Sequence, residues 1–371
     1  MKITVVGAGN IGLAIAAYLT QKKYDVTIFS SRIIKELNLY NADCNSIESV
    51  KNYKLSENPK VALGEADIIL CTYPAFLRKK FIEKYGCELK NDCFLGFIPG
   101  YGGAEYFCMR LIKRGITIFG LQRVPYVART QSCNYIYTAG ILSKKKCIYA
   151  AAIPYKKTGE VVSIMEEILD IECLPLKEYL AITLAPSNPL LHITGLYGAF
   201  YNLTFNHPYT GCKGFYEEWN DETSRLLFEY DAELQAICNN LTSFNLQEVV
   251  SLPIYYEADT PEKMTKKLKS IKAFEAVKLP LKETENGLVP DLSSRMFVED
   301  FPFGVCIIKD FAKMTNTQTP VVDKMLDFYY RISGIKYFNE DSSYTEAIKS
   351  TGVPGINSIC NQNDLEAFYH I

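Results

Sequence analysis

The sequence predicts an α/β protein: an N-terminal, mostly parallel sheet layered with helices, followed by a mostly α-helical domain. Three observations carry this. Short apolar, β-branched runs alternate with helical segments through the first half, the pattern of a sheet covered on both faces by its crossover helices. Beyond about residue 180 the strand signals fade and segments of helical periodicity take over. A chain of 371 residues is also longer than one ordinary core, so two domains are the default expectation.

Taken in order, MKITVV is a strand candidate, followed by GAGNIG and the helix-like LAIAAYLTQKK. VTIFS, ADIILCT, CFLGFI and ITIFG are further buried-strand candidates. PAFLRKKFIEKY, GGAEYFCMRLIKRG and TGEVVSIMEEIL read as helices, and NYIYTAGI and KCIYAAAI as further strands of the same sheet. Residues 1–178 are thus expected to form a dinucleotide-binding domain of the Rossmann type and residues 179–371 a helical substrate or catalytic domain. The helices of the second are LLHITGLYGAFYNL, FYEEWNDETSRLLFEYDAELQAICNNL, TPEKMTKKLKSIKAFE and VVDKMLDFYYRIS.

Composition narrows the function. The hydrophobic share of 48% and charged share of 22% are those of a soluble globular protein. A net charge of −2 without a basic block argues against nucleic-acid binding, and the lysine runs at 144–146 and 79–80 read as solvated faces. Twelve cysteines show no CxxC pair and no histidine at zinc-ligand spacing, so neither a metal site nor a disulfide scaffold is expected. Reduced thiols and a first strand starting at Lys2, which leaves no room for a signal peptide, point to the cytoplasm. The most apolar stretch, LLHITGLYGAFYNLTF, is too short and too polar to span a membrane. Small molecules are therefore the expected partners, and an oligomer is compatible with all of this.

Gly7-Ala8-Gly9-Asn10-Ile11-Gly12 fits GxGxxG, and its place between a strand and a helix is the context that gives the pattern meaning. Gly7 permits the tight turn, Gly9 lets the backbone approach a pyrophosphate, and Gly12 allows close helix–strand packing. With Asn10 and Ile11 they form the expected cofactor turn, whose helix amides face the phosphates. The second strand ends at Phe29-Ser30-Ser31-Arg32, with no acidic residue before Glu36 to hold a ribose 2′-hydroxyl. Ser30, Ser31 and Arg32 instead offer donors to a 2′-phosphate, so NADP(H) is favoured, with NAD(H) as the other candidate. Thr72 and Pro74, in the loop after ADIILCT, and Pro99–Gly103, after CFLGFI, are expected near the nicotinamide half.

One of only three histidines, His192, lies in PSNPLLHITG. Asn188 is read as a helix cap and Pro189 as the first helical position, which puts His192 in the first turn with Gly195 and Ala199 on its face. A histidine there serves equally well as a satisfied core group or as a proton-transfer residue. The second cluster, Ser294–Gly304, contains Arg295, which can clamp a carboxylate, and two acids, Glu299 and Asp300, either of which can orient an imidazole. An internal Arg–Asp ion pair is the plainer alternative for that cluster.

GAGNIG, GFIPGYGGAEY, RVPYVAR, SNPLLH, RMFVEDFPFG and TEAIKSTGVPGINS run through nearly the whole chain, and together they resemble the opine (octopine/nopaline) dehydrogenases. The resemblance implies reductive condensation of an amino acid with a 2-oxo acid, pyruvate being the commonest in the family. It implies His192 as the catalytic histidine, Asp300 as its acidic partner with Glu299 as the adjacent alternative, and Arg295 as the carboxylate-binding arginine. Asn188 and Gln122 join the substrate-binding set. Gln122 stands where the family pattern often has an acid, which argues against a basic amino substrate. Two other readings stay open: a simple NADPH-dependent 2-oxo acid reductase of the ketopantoate reductase type, and a non-catalytic nucleotide sensor.

Overall fold

In the computed structural model, residues 1–185, 187–203, 208–211 and 213–371 are described; His207 and Cys212 lie outside the described residues. The chain divides into two compact units, Met1–Thr183 with Glu366–Ile371, and Leu184–Leu365.

The first unit contains twelve strands. They are β1 (Lys2–Val6), β2 (Asp25–Phe29), β3 (Glu36–Asn41), β4 (Ser46–Val50), β5 (Lys54–Ser56), β6 (Ile68–Cys71), β7 (Phe94–Phe97), β8 (Thr117–Leu121), β9 (Tyr126–Cys133), β10 (Ile136–Lys144), β11 (Cys147–Ile153) and β12 (Glu172–Pro175). Eight form one sheet in the order β12-β11-β8-β7-β6-β1-β2-β5. All neighbours in it are parallel except β11, which runs antiparallel to β8. Every residue of β6 and β8 is buried, which is why these strands read as unbroken apolar runs rather than alternating ones. Strand order reverses around β1, and the crevice beyond its carboxyl end is where such sheets take ligands.

One of the two expected extensions of this sheet is corrected. KCIYAAAI does join it, as β11, but NYIYTAGI does not: β10 pairs with β3 and β9 in a separate sheet of order β4-β3-β10-β9. The polar sequence of β3 and β4 masks a hairpin whose edge receives β10. One face of that sheet, with Leu37, Leu39, Ala128, Ala139 and Ile141, shares a hydrophobic core with Leu13, Ala14 and Ala17 of the helix Asn10–Gln21. GGAEYFCMRLIKRG is likewise not one helix. It is a 3₁₀ turn, Ala104–Phe107, then a short helix, Met109–Ile112.

The second unit is built on the helices Ser187–Phe200, Asp221–Asn240, Pro261–Ser270, Cys306–Met314 and Pro320–Ser333. Their starts carry the expected chemistry. Asn220 Oδ1 accepts from Thr223 N, Thr260 caps the next helix, and Pro261 and Pro320 occupy first-turn positions where no amide donor is required. Leu190, Leu191, Ile193 and Leu196 are buried, as are Leu227, Tyr230, Leu234, Phe297, Phe301 and Phe328. One hairpin breaks the helical texture: β13 (Leu281–Thr284) and β14 (Gly287–Pro290), turned at Gly287 with φ of +110°. Its strands are short and largely exposed, so they carry no alternating pattern to detect.

Among the described residues no helix is long and apolar enough to cross a membrane. None of them forms a group of three His, Cys, Asp or Glu side chains able to hold a metal.

Candidate active site

The glycine turn sits between β1 and the helix Asn10–Gln21. Gly7 has φ of +102°, a conformation side chains resist, and its amide donates to the Phe29 carbonyl at 3.1 Å, locking the turn to the end of β2. A Cβ at Gly12 would run into the Gly7 carbonyl, whereas one at Gly9 would meet nothing within 4 Å. Close packing behind and open space in front, at the amide end of a helix, is the shape a pyrophosphate needs, so these residues fit a dinucleotide. The exposed Asn10 is partly committed: its Oδ1 accepts from Thr130 N at 3.0 Å, pinning β9 to the turn. The half-buried Ile11 follows it in the first turn of the helix.

Ser30 Oγ accepts from Arg32 N at 3.1 Å, which shapes the corner after β2 and leaves Ser31 and Arg32 exposed. Thr72 is turned inward rather than toward solvent. Its hydroxyl donates to the Val6 carbonyl at 2.9 Å and backs the glycine turn, at 2.7 Å from where a Gly12 Cβ would stand. Pro74 begins the helix Ala75–Tyr85. That helix supplies a group the sequence reading missed, Arg78, which is 1% exposed. Its Nε donates to Tyr73 O at 2.9 Å and its Nη1 to Tyr101 O at 2.5 Å, so one buried guanidinium staples the loops after β6 and β7 together. Close by, buried Glu105 accepts from Thr183 Oγ1 at 2.5 Å and Tyr369 Oη at 3.1 Å. Burial pushes its carboxyl up to about 7, against the lowering effect of the Thr183 and Tyr369 hydrogen bonds and of Arg78.

In the second unit, His192 Nδ1 and Asp300 Oδ2 stand 2.8 Å apart across 108 residues of sequence. The His192 side chain is 20% exposed and that of Asp300 5%. Burial raises the Asp300 carboxyl above its ordinary range; His192 opposes this by charge and hydrogen bond, and Glu299 adds to it. A carboxylate on Nδ1 holds the proton there, fixes the ring and leaves Nε2 to exchange protons. The Phe215 ring meets the imidazole in a T-shaped contact, with centroids 5.8 Å apart. Gly195, on the same helical face, makes room for this residue: a Cβ there would strike Phe215 and come within 3.0 Å of Trp219.

The local start of the helix differs from expectation. It begins at Ser187, so Asn188 is an exposed first-turn residue rather than the cap, Pro189 is its third residue, and His192 lies in the second turn. The first four helix amides need no intrahelical acceptor, so proline is tolerated there as well as at the first position.

Asp300 is placed by an unusual turn. The short helix Arg295–Val298 cannot continue regularly because Pro302 has no N–H to give the Val298 carbonyl. The backbone widens into one π-helical turn, Phe301–Val305, with Val305 N donating to Asp300 O at 3.0 Å, before resuming as Cys306–Met314. A Cβ on Gly304 would stand 2.5 Å from Pro189 Cβ and Cγ. The two motifs therefore interlock twice, Pro189 on Gly304 and His192 on Asp300, one helical turn apart on each side.

Arg295 pairs with Glu299, not with Asp300. Its Nε and Nη2 both approach Glu299 Oε2, at 2.7 and 2.5 Å; the Arg295 side chain is 67% exposed and that of Glu299 4%. The two acids are thus divided, Asp300 to the imidazole and Glu299 to the guanidinium. In the first unit, Gln122 N donates to Tyr149 O at 2.9 Å, and Nε2 reaches Ala181 O only at 3.5 Å.

Comparison with known proteins divides the chain in the same way. The sequence profile of the NAD/NADP octopine/nopaline dehydrogenase alpha-helical domain matches residues 175–333, and that of ketopantoate reductase PanE/ApbA matches residues 3–128. Tauropine dehydrogenase of Arabella iricolor is 22% identical over 333 residues, covering 82% of each chain. Octopine dehydrogenase solved with NADH and L-arginine shares the fold with a TM-score of 0.85, at 18% identity over 98% of this chain and 97% of that one. Yersinopine dehydrogenase with NADP⁺ bound gives a TM-score of 0.68, at 12% identity over 99% of both.

Proposed function

Because the chain belongs to the opine dehydrogenase family, nicotinamide-dependent dehydrogenases acting on CH–NH groups, we propose that it condenses an amino acid with a small 2-oxo acid, pyruvate in the first instance, and reduces the imine to a secondary amine. The observation that carries this reading is the 2.8 Å contact between His192 Nδ1 and Asp300 Oδ2. Asp300 holds the proton on Nδ1 and stabilises the imidazolium when it forms. Nε2 takes a proton from the amino group as it attacks the oxo carbon and passes it to the oxygen to give the carbinolamine. The second nitrogen proton follows the same route as water leaves, giving the imine. A nicotinamide held by the glycine turn would supply the hydride for the imine carbon, and a proton on the nitrogen completes the secondary amine. Arg295 is the carboxylate anchor: its side chain is 67% exposed and its guanidinium is oriented by Glu299. Asn188 and Gln122 complete the substrate set as uncharged groups, which favours an amino substrate without a basic side chain.

For the cofactor, the turn residues Gly7, Gly9, Asn10, Ile11 and Gly12 hold the pyrophosphate. Ser30, Ser31 and Arg32 hold a 2′-phosphate, so NADP(H) is preferred over NAD(H). Thr72 and Pro74 shape the loop beyond β6. Eleven described cysteines are free thiols, which fits a reducing cytoplasm.

A second reading, a simple 2-oxo acid reductase, is favoured by the ketopantoate reductase match over residues 3–128. A matrix of amino acids against small 2-oxo acids, followed by oxidation of NADPH and NADH, separates the two. Turnover that requires the amine supports opine formation; turnover of the oxo acid alone supports the reductase. A nucleotide sensor has no use for a buried carboxylate on an imidazole, and the absence of any turnover across the matrix is what it would require.

A further inference from the structure

The terminal motif TEAIKSTGVPGINS has no part in the chemistry above, yet its residues converge on the turn that carries Asp300. Gly352 N donates to Pro302 O, within that π-turn, at 3.3 Å. On either side of Gly352 the chain is fastened to one carboxylate. Tyr344 Oη donates to Asp310 Oδ1, and Gly355 N donates to Asp310 Oδ2 at 3.0 Å. Asp310 is 1% exposed and lies on Cys306–Met314, the helix that continues directly from the π-turn. Lys313 completes the cluster, its Nζ 4.0 Å from Asp310 Oδ1 and 3.8 Å from the centre of the Tyr344 ring. Gly355 is needed there because a Cβ would collide with Tyr344 Oη. Thr351 and Val353 are fully buried, and Thr351 Oγ1 donates to Ile348 O at 2.7 Å.

We propose that Tyr344–Gly355 is a strap that positions Asp300, with Asp310 as the buried clamp that sets it; the inference rests on the reading of His192 and Asp300 as the proton-transfer pair. A π-turn has an irregular hydrogen-bond ladder, so external contacts must fix where its side chains point. Pro189 does this at Gly304, and the strap does it at Pro302. Burying a carboxylate is costly, and desolvation does push the Asp310 carboxyl up. Two donors gathered on one such group, Tyr344 Oη and Gly355 N, hold both ends of the strap in one register. Asp310, Tyr344 and Gly352 are positioning residues: they act on the chemistry only through Asp300.

The test uses the full-length protein with Tyr344→Phe, which removes one hydroxyl, and Asp310→Asn, which removes the charge, each well below its melting temperature. With only three histidines in the chain, ¹⁵N-histidine labelling resolves the His192 ring, assigned by its loss in His192→Gln. The strap requires that both variants shift the ring ¹⁵N signals from a fixed Nδ1–H tautomer toward a mixture, and lower kcat by about tenfold or more. KM and the Kd for NADPH should stay within about twofold. Variants that melt earlier but keep the wild-type tautomer and kcat would overturn the proposal. If the wild type shows no amine-dependent turnover, the ring signals still decide the strap, so its failure and that of the catalytic reading are told apart. Should Asp310→Asn not fold, Tyr344→Phe decides alone.

Discussion

Replacing Asp300 by asparagine keeps the shape of the turn and removes the charge. With charge centres about 4 Å apart and an effective dielectric of about 20, a carboxylate stabilises the adjacent imidazolium by about 4 kcal/mol. The amide offers no such stabilisation, and where it presents its NH₂ to Nδ1 the ring must carry its proton on Nε2, the wrong tautomer for a base acting there. At 1.36 kcal/mol per decade, the expected loss in kcat is about 10²–10³-fold. The KM for the oxo acid should move far less, since Asp300 is 4% exposed and its Oδ2 is taken up by His192. Steady-state kinetics with the best substrate pair, alongside the Kd for the cofactor from fluorescence, measure both quantities. Glu299→Gln is the control: it loosens Arg295 and should raise KM instead. A kcat for Asp300→Asn within about threefold of wild type would refute the reasoning.

Three further outcomes are expected. Arg32→Ala should lower kcat/KM for NADPH by about 10–100-fold, as befits a lost charge-assisted contact, and leave NADH within about twofold; equal losses would remove Arg32 from the 2′-phosphate site. Gly195→Ala should cost about 1–3 kcal/mol in urea unfolding and also lower kcat, since its Cβ lands on the Phe215 ring beside His192; unchanged stability would contradict the packing. Glu105 titrates at about 7 in the folded protein against an ordinary 4.5, so between those values the folded chain keeps a proton that the unfolded chain has released. Stability contributed by this group therefore falls as pH rises through that window. Glu105→Gln should match wild type near pH 4 and gain on it by up to about 3 kcal/mol above pH 8; a gain that does not change with pH would assign the burial penalty elsewhere.

The parallel sheet was legible because a strand buried on both faces has little choice but an apolar run, and because GAGNIG between a strand and a helix has few other uses. The β3–β4 hairpin was not, since only Leu37, Leu39 and Val50 of its strand residues are buried and its pairing with β10 is a long-range decision that leaves no local mark. Asp300 and His192 could be named from their motifs, but not the reason for their spacing. That reason is an interlock of Pro189 with Gly304, one turn from the acid and the imidazole, visible only once a π-turn is allowed for. Arg78 escaped notice because a lysine- and arginine-rich helix reads as a wet surface, and nothing in RKK says which cation turns inward. The division of labour between Glu299 and Asp300 is likewise a matter of rotamers. Adjacent acids in sequence leave open which one meets the ring.

The first unit is completed by residues that follow the helical unit in sequence. Phe368 and Tyr369 are buried, the Tyr369 hydroxyl 2.8 Å from that of Tyr106, so the Tyr106–Glu105 corner is covered only after all of Leu184–Leu365 has been synthesised. On the ribosome that corner must wait, uncovered, for the segment Glu366–Ile371. Topologically the helical unit is an insertion in a discontinuous host. Any attempt to express the nucleotide-binding part alone therefore has to supply its closing segment, by circular permutation or by a short linker in place of the insert.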